Sequence, residues 1–143
     1  MPGALQARER PIMSQAIRAG LLYFFAVFAI GFGLGTIRVL LVIPRLVAIA
    51  AVLIEVPVLL ALAWLICGAL LRRCAVPSGL LPRLAMGTTA FGVLMLAELV
   101  LAVVLLGQSP MQHWASYRDP AAQIGLAAQM LFAAFPLLRR GVF

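Results

Sequence analysis

Four long apolar runs, each bounded by arginine, glycine or proline, set the frame of the chain. They extend over Leu21 to Ile43, Leu46 to Leu71, Leu84 to Leu106, and Pro120 to about Leu138. A helix of about 20 apolar residues crosses a bilayer, so each run predicts one span. Pro44 interrupts the hydrogen-bond ladder and Arg45 is charged, which predicts a tight turn between the first two spans. Asp119 and Pro120 have the chemistry of an N-cap and first helical residue for the fourth. The expected fold is all-α, an integral membrane four-helix bundle over residues 21–140.

Outside the spans the pattern is polar and short. Met1 to Gly20 is basic, and Pro2, Gly3 and Pro11 predict a flexible N-terminal tail rather than a stable helix, with Met13 as an alternative start. The first run is too long for a signal-peptide core and reads as an uncleaved span. QSPMQHWASYRD is the longest polar loop, and its His113, Trp114 and Tyr117 predict an aromatic segment at the membrane surface.

Composition sharpens this picture. At 143 residues and 65% hydrophobic with 10% charged, and mean hydropathy +1.14, the chain lacks the polar surface a soluble domain shows to water. The net charge of +7 comes from arginines alone, and these lie mostly at the ends of apolar runs. That placement points to topology, not to nucleic acid, which needs a basic face or groove on a soluble fold. Arg8, Arg10, Arg18, Arg72, Arg73, Arg83, Arg139 and Arg140 fall on one side, and Arg38, Arg45 and Arg118 on the other. The imbalance predicts a multi-pass protein with both termini in the cytoplasm.

Catalytic and metal chemistry find little support in the sequence. Cys67 and Cys74 would stand roughly 10 Å apart on one helix, beyond disulfide reach. His113 is the only histidine, so neither a His-based metal cluster nor bis-His haem ligation is expected. Ser109 and Ser116 lie near it without a hydrolase elbow. Gly31 to Gly35 is glycine-rich but sits within an apolar span without the strand or lysine of a phosphate loop. No catalytic residue, cofactor or metal is predicted.

Four polar residues inside the runs carry the candidate chemistry: Arg38, Glu55, Glu98 and Gln129. By helical rise, Glu55, Glu98 and Gln129 lie roughly 13–14 Å below the outer helix ends, near mid-bilayer, and Arg38 about 8 Å below Pro44. Side chains lean toward a helix N-terminus, which brings Arg38 and Glu55 toward each other. A lone charge at mid-membrane costs about 2.5–3.5 kcal/mol on insertion scales. Two carboxylates with one arginine therefore predict one ion pair, Arg38–Glu55, and a second acid, Glu98, that is neutral or exchanges a proton beside Gln129, with the roles of the two glutamates reversed under another helix arrangement; the structural alternative is that the four residues only fix helix register. Gly31 and Gly35 share a face with Arg38, and Gly125 shares one with Gln129, which predicts helix-packing roles for these glycines.

The run GTIRVLLVIPRLVAIAAVLIEVPVLLALAWLI, which contains Arg38, Pro44, Arg45, Glu55 and Pro57, is similar to a segment of small uncharacterised bacterial inner-membrane proteins of four spans. The resemblance implies a location and a span count but no activity. The chain does not resemble the small multidrug transporters, whose working glutamate lies in the first span, or the four-span glutathione-dependent enzymes. The expected role is that of a non-enzymatic accessory or assembly subunit, in contact with the lipid bilayer and with a membrane-protein partner or a second copy. The alternative is a small proton- or cation-coupled transporter or channel using Glu98 or Glu55.

Overall fold

Chain-end chemistry and apolar periodicity together give five helices in the computed structural model, which describes residues 2–38, 40 and 48–139. They are α1 (Pro2–Ile37), α2 (Ala48–Arg73), α3 (Leu80–Val104), the short α4 (Pro110–Ala115) and α5 (Pro120–Leu138). A 3-10 turn at Ser116–Arg118 joins the last two, and there is no strand among the described residues. Four of the helices are long and apolar enough to cross a membrane. The turn predicted at Pro44-Arg45 lies outside the described residues.

α1 packs against α2 and α3, and α5 packs against the same two, so the ring runs α1, α2, α5, α3. The loop between α2 and α3 therefore crosses one end of the bundle diagonally. That loop begins with a Schellman turn, in which the Val76 N–H donates to Leu71 O at 3.1 Å and the Ala75 N–H to Arg72 O at 3.3 Å. Ala75 takes the left-handed conformation, φ 50°, that glycine usually supplies. Leu71 and Val76, the apolar pair such turns bring together, are both buried in the core. Arg72 and Arg73 in the last turn of α2 complement its negative end.

The predicted N-terminal tail is corrected. α1 reaches back to Pro2, and Ala16 and Ala19 are fully buried. Pro2 falls in the first turn, where the missing N–H is no loss. Pro11 costs one ladder bond, and Ser14 Oγ donates to Pro11 O at 3.0 Å. Packing then outweighs local propensity: a Cβ added at Gly20 would stand 2.6 Å from Met86 O, so α1 and α3 touch backbone to backbone.

The packed core lies at the end of the bundle that carries the α2–α3 loop, around Tyr23, Cys67, Met86, Phe132 and Phe135. Pro136 inside α5 removes the N–H that would bond to Phe132 O. Tyr23 Oη donates to that carbonyl at 2.9 Å while its ring stacks on Phe132 at 4.2 Å. The tyrosine thus ties the diagonal helices α1 and α5 together at the point where proline opened the ladder. Two predicted topology arginines also turn inward here. Arg83, fully buried, donates from Nη1 to Pro136 O at 3.1 Å and from Nε to Pro77 O at 3.0 Å. Arg139 lies over the Trp64 ring and donates to Trp64 O at 2.7 Å, in space left by Gly68.

Outward, the molecule is apolar. Only 17–22% of the residues in the most apolar stretches of these four helices are buried within the protein. Phe25, Leu65, Leu96, Val104 and Met130 are among the large apolar side chains left on the outside. A soluble monomer rarely exposes so continuous an apolar surface.

Candidate functional site

Among the described residues, the other end of the bundle is open. Between the C-terminal part of α1, the N-terminal part of α2, the C-terminal half of α3 and the N-terminal half of α5 lies a cavity of about 780 Å³. This volume is within the range of small-molecule sites. Its walls are largely aliphatic and aromatic, and its lining includes Arg38, Glu55, Glu98 and Gln129.

These four residues form two pairs. Arg38 Nη1 stands 2.9 Å from Glu55 Oε2, an ion pair between α1 and α2. The contact is close in distance but not aligned as a hydrogen bond, and Oε2 has no other partner among the described residues. Arg38 keeps 32% of its side-chain exposure and Glu55 13%, so the pair is shielded but not sealed. Between α3 and α5, Gln129 Nε2 donates to Glu98 Oε1. Gln129 Oε1 is buried without a hydrogen-bond partner among the described residues. From the ring order, one pair sits at the α1–α2 contact and the other at the α3–α5 contact, on opposite sides of the cavity.

The midpoints of the second and third spanning segments, Ile49–Arg73 and Leu80–Val104, fall at Ala61 and Gly92. Glu55 and Glu98 each lie six residues, or about 9 Å by helical rise, from those midpoints toward the open end. The two acids share a level in the half of each segment toward the open end, and Gln129, which donates to Glu98, stands at the midpoint of the fourth segment, Pro120–Leu138. α3 is displaced from the apolar run Leu84 to Leu106, starting four residues before it at Leu80 and stopping two before its end at Val104.

The predicted packing glycines are also corrected. Gly31, Gly35 and Gly125 line the cavity. An added Cβ would meet Leu59 at an ordinary 3.6 Å at Gly31 and nothing within 4 Å at Gly125, and at Gly35 it would come only within 3.9 Å of the Arg38 guanidinium. The glycines that permit close helix contact are Gly20 and Gly87, the latter against the Ala133 carbonyl of α5. Gly20 with Ala16 has the same small-xxx-small spacing as Gly31 with Gly35, whereas Gly87 stands between Arg83 and Phe91 and carries no such signal.

The loop predicted to be an aromatic segment at the membrane surface contains a short helix and reaches the cavity wall. Ser109 caps α4 in a reciprocal box with Gln112, with Pro110 at the first position. The Ser-Pro-x-Gln spacing is a start signal legible in the sequence. α4 and the following turn bring His113, Ser116 and Tyr117 to the cavity wall. Tyr117 Oη is 3.9 Å from Met95 Sδ, and its ring meets His113 edge-on at 5.4 Å. Burial first, and then the adjoining Glu98 carboxylate, raise the Tyr117 phenol above its ordinary range.

The electrostatic sum is simple. Among the described residues, one arginine faces two carboxylates across the cavity, and Arg38 is already engaged by Glu55. Among the described residues, Glu98 accepts from the neutral Gln129 amide and has no cation beside it. Cys67 is buried and Cys74 partly so, and both are free thiols. Among the described residues no three His, Cys, Asp or Glu side chains group as metal ligands. No protein-family model matches the chain, and no curated protein or solved structure matches it.

Proposed function

We propose that the protein is a non-enzymatic, multi-pass protein of a bacterial inner membrane, with both termini cytoplasmic, that exchanges a proton or cation at Glu98. The carrying observation is the cavity that contains Glu98 and the Arg38–Glu55 pair, with one carboxylate in excess among the described residues. Had these residues served only to fix helix register, they would be expected within the tight helix contacts at the other end. The outward apolar surface supports insertion in a bilayer, and the arginine distribution supports the orientation. On this reading, the cavity faces the side opposite the termini.

A dicyclohexylcarbodiimide labelling experiment tests this. The reagent attacks protonated carboxyl groups in apolar surroundings, so Glu98 is expected to be modified more at low than at high pH, and Glu98→Gln to remove the label. A Glu98 inert throughout pH 5–9 overturns proton exchange. The accessory-subunit reading draws on the Arg38–Glu55 pair, which is complete without a ligand. It requires a stoichiometric protein partner, or a second copy, when the tagged protein is isolated in mild detergent.

A further inference from the structure

We propose that the cavity binds a lipophilic organic monocation, a single positive charge carried on an aromatic or alkyl body, with Glu98 as its counter-charge. The inference rests on Glu98 as the exchanging acid and adds the class of ligand that exchanges with the proton.

Three observations carry it. The first is charge: the single cavity arginine among the described residues is paired, which leaves Glu98 as the group there without an ionic partner. An anionic ligand would meet that carboxylate and would have to break the Arg38–Glu55 pair. The second is the buried Gln129 Oε1, which has no donor among the described residues and adds a second negative dipole end beside Glu98. The third is the wall. Phe24, Phe28 and Phe32 follow one another along α1 with centroid separations of 5.1 and 6.2 Å, and all three line the cavity with Phe132. Aromatic faces attract cations, most strongly weakly hydrated organic ones.

The same facts exclude a bare inorganic cation as the main occupant. A hard cation such as Ca²⁺ takes six to eight oxygen ligands, whereas this wall is mostly hydrocarbon. A neutral lipid chain would fill the volume but leave the acid without a counter-charge. The exchange is balanced in one step. The Glu98 O–H bond breaks, its proton passes to water, and the resulting carboxylate pairs with the entering cation, with no other bond made. Among the described residues, the titratable or charged groups facing this position are Arg38 just past the end of α1, Glu55 of α2, and His113 and Tyr117 of the outer segment; Gln129 of α5 does not titrate.

The test uses the full chain in mild detergent, with tetraphenylphosphonium and its near-isosteric anion tetraphenylborate, by isothermal titration calorimetry at pH 6 and pH 8. Saturable binding of the cation is expected, tighter at pH 8, with proton release seen as a dependence on buffer ionisation enthalpy. Glu98→Gln is expected to weaken binding at least tenfold, and Glu98→Asp to retain it in part. The comparison of the two ions in the native protein needs no variant, so a misfolded mutant leaves the test intact. Equal binding of tetraphenylborate overturns the proposal in favour of an apolar or lipid-filled site, and no binding of tetraphenylphosphonium overturns it outright. Carbodiimide labelling on the same preparation separates the two failures. If Glu98 labels with pH dependence but the cation does not bind, the ligand class is wrong and proton exchange stands. If Glu98 never labels, the underlying reading fails too.

Discussion

Tyr23→Phe removes one hydroxyl from the closed end of the bundle and leaves the shape of the core unchanged. In the native protein that hydroxyl donates at 2.9 Å to Phe132 O, whose helical donor is missing because residue 136 is proline. The ring stacking on Phe132 at 4.2 Å does not need the oxygen. The substitution therefore isolates a carbonyl left unsatisfied in a buried position. Its cost is about 1–2 kcal/mol, from the range for buried unsatisfied groups tempered by the modest values found in membrane proteins. Pro136→Ala restores an N–H to the ladder, and in that background Tyr23→Phe is expected to cost about 0.5 kcal/mol or less. The coupling of about 1 kcal/mol is read from thermal unfolding in detergent with a thiol-reactive dye. Cys67, fully buried in the same core, reports the opening in a Cys74→Ala background. An equal loss from Tyr23→Phe in both backgrounds refutes the link between the proline and the tyrosine.

Glu55→Gln leaves Arg38 without its ion partner and is expected to lower stability by about 1–2 kcal/mol, discounted from the buried-pair value because Arg38 is partly exposed. Arg38→Gln combined with Glu55→Gln should recover part of that loss, whereas additive melting shifts contradict the pairing. Gly87→Ala drives a methyl group into the Ala133 carbonyl and is expected to cost about 3 kcal/mol, while Gly125→Ala meets nothing within 4 Å and should gain about 0.5–1 kcal/mol of helix propensity. Ala75→Gly relieves a left-handed alanine at φ 50° and should stabilise by about 0.5–1 kcal/mol in the same melts, after glycine's entropy is subtracted.

Much of the architecture was legible because membrane spans are written in long, simple signals. Asp119-Pro120 predicted the start of α5, and the structure places the N-cap there, with Asp119 Oδ1 accepting from the Ala121 N–H at 3.3 Å. The lean of side chains toward helix N-termini predicted an approach of Arg38 and Glu55, which stand 2.9 Å apart. Local signals failed where tertiary packing decides. Pro11 and Gly3 argued against a helix that the docking of Ala16 and Ala19 nevertheless supports. Gly31 and Gly125 have the spacing of packing residues, yet they border a cavity, because a void results from how four helices diverge and no single helix encodes it. Arg83 shows the same limit. Counted as a topology signal, it is buried against the carbonyl end of α5, a partner 53 residues away.

The open end of the bundle is expected to admit water to a cavity with a negative bias at Glu98. Gly125→Cys, in a Cys74→Ala background, probes this. Position 125 lines the cavity with room for a side chain, and Cys67, buried in the core, is a built-in silent control. Membrane-impermeant methanethiosulfonates of opposite charge are applied to the protein in sealed vesicles, from each side in turn. The expected result is modification of the introduced thiol from one side only, faster with the trimethylammonium reagent than with the sulfonate, and less biased when Glu98 is replaced by Gln. An introduced thiol that reacts with neither charged reagent but readily with a lipid-soluble maleimide contradicts the account.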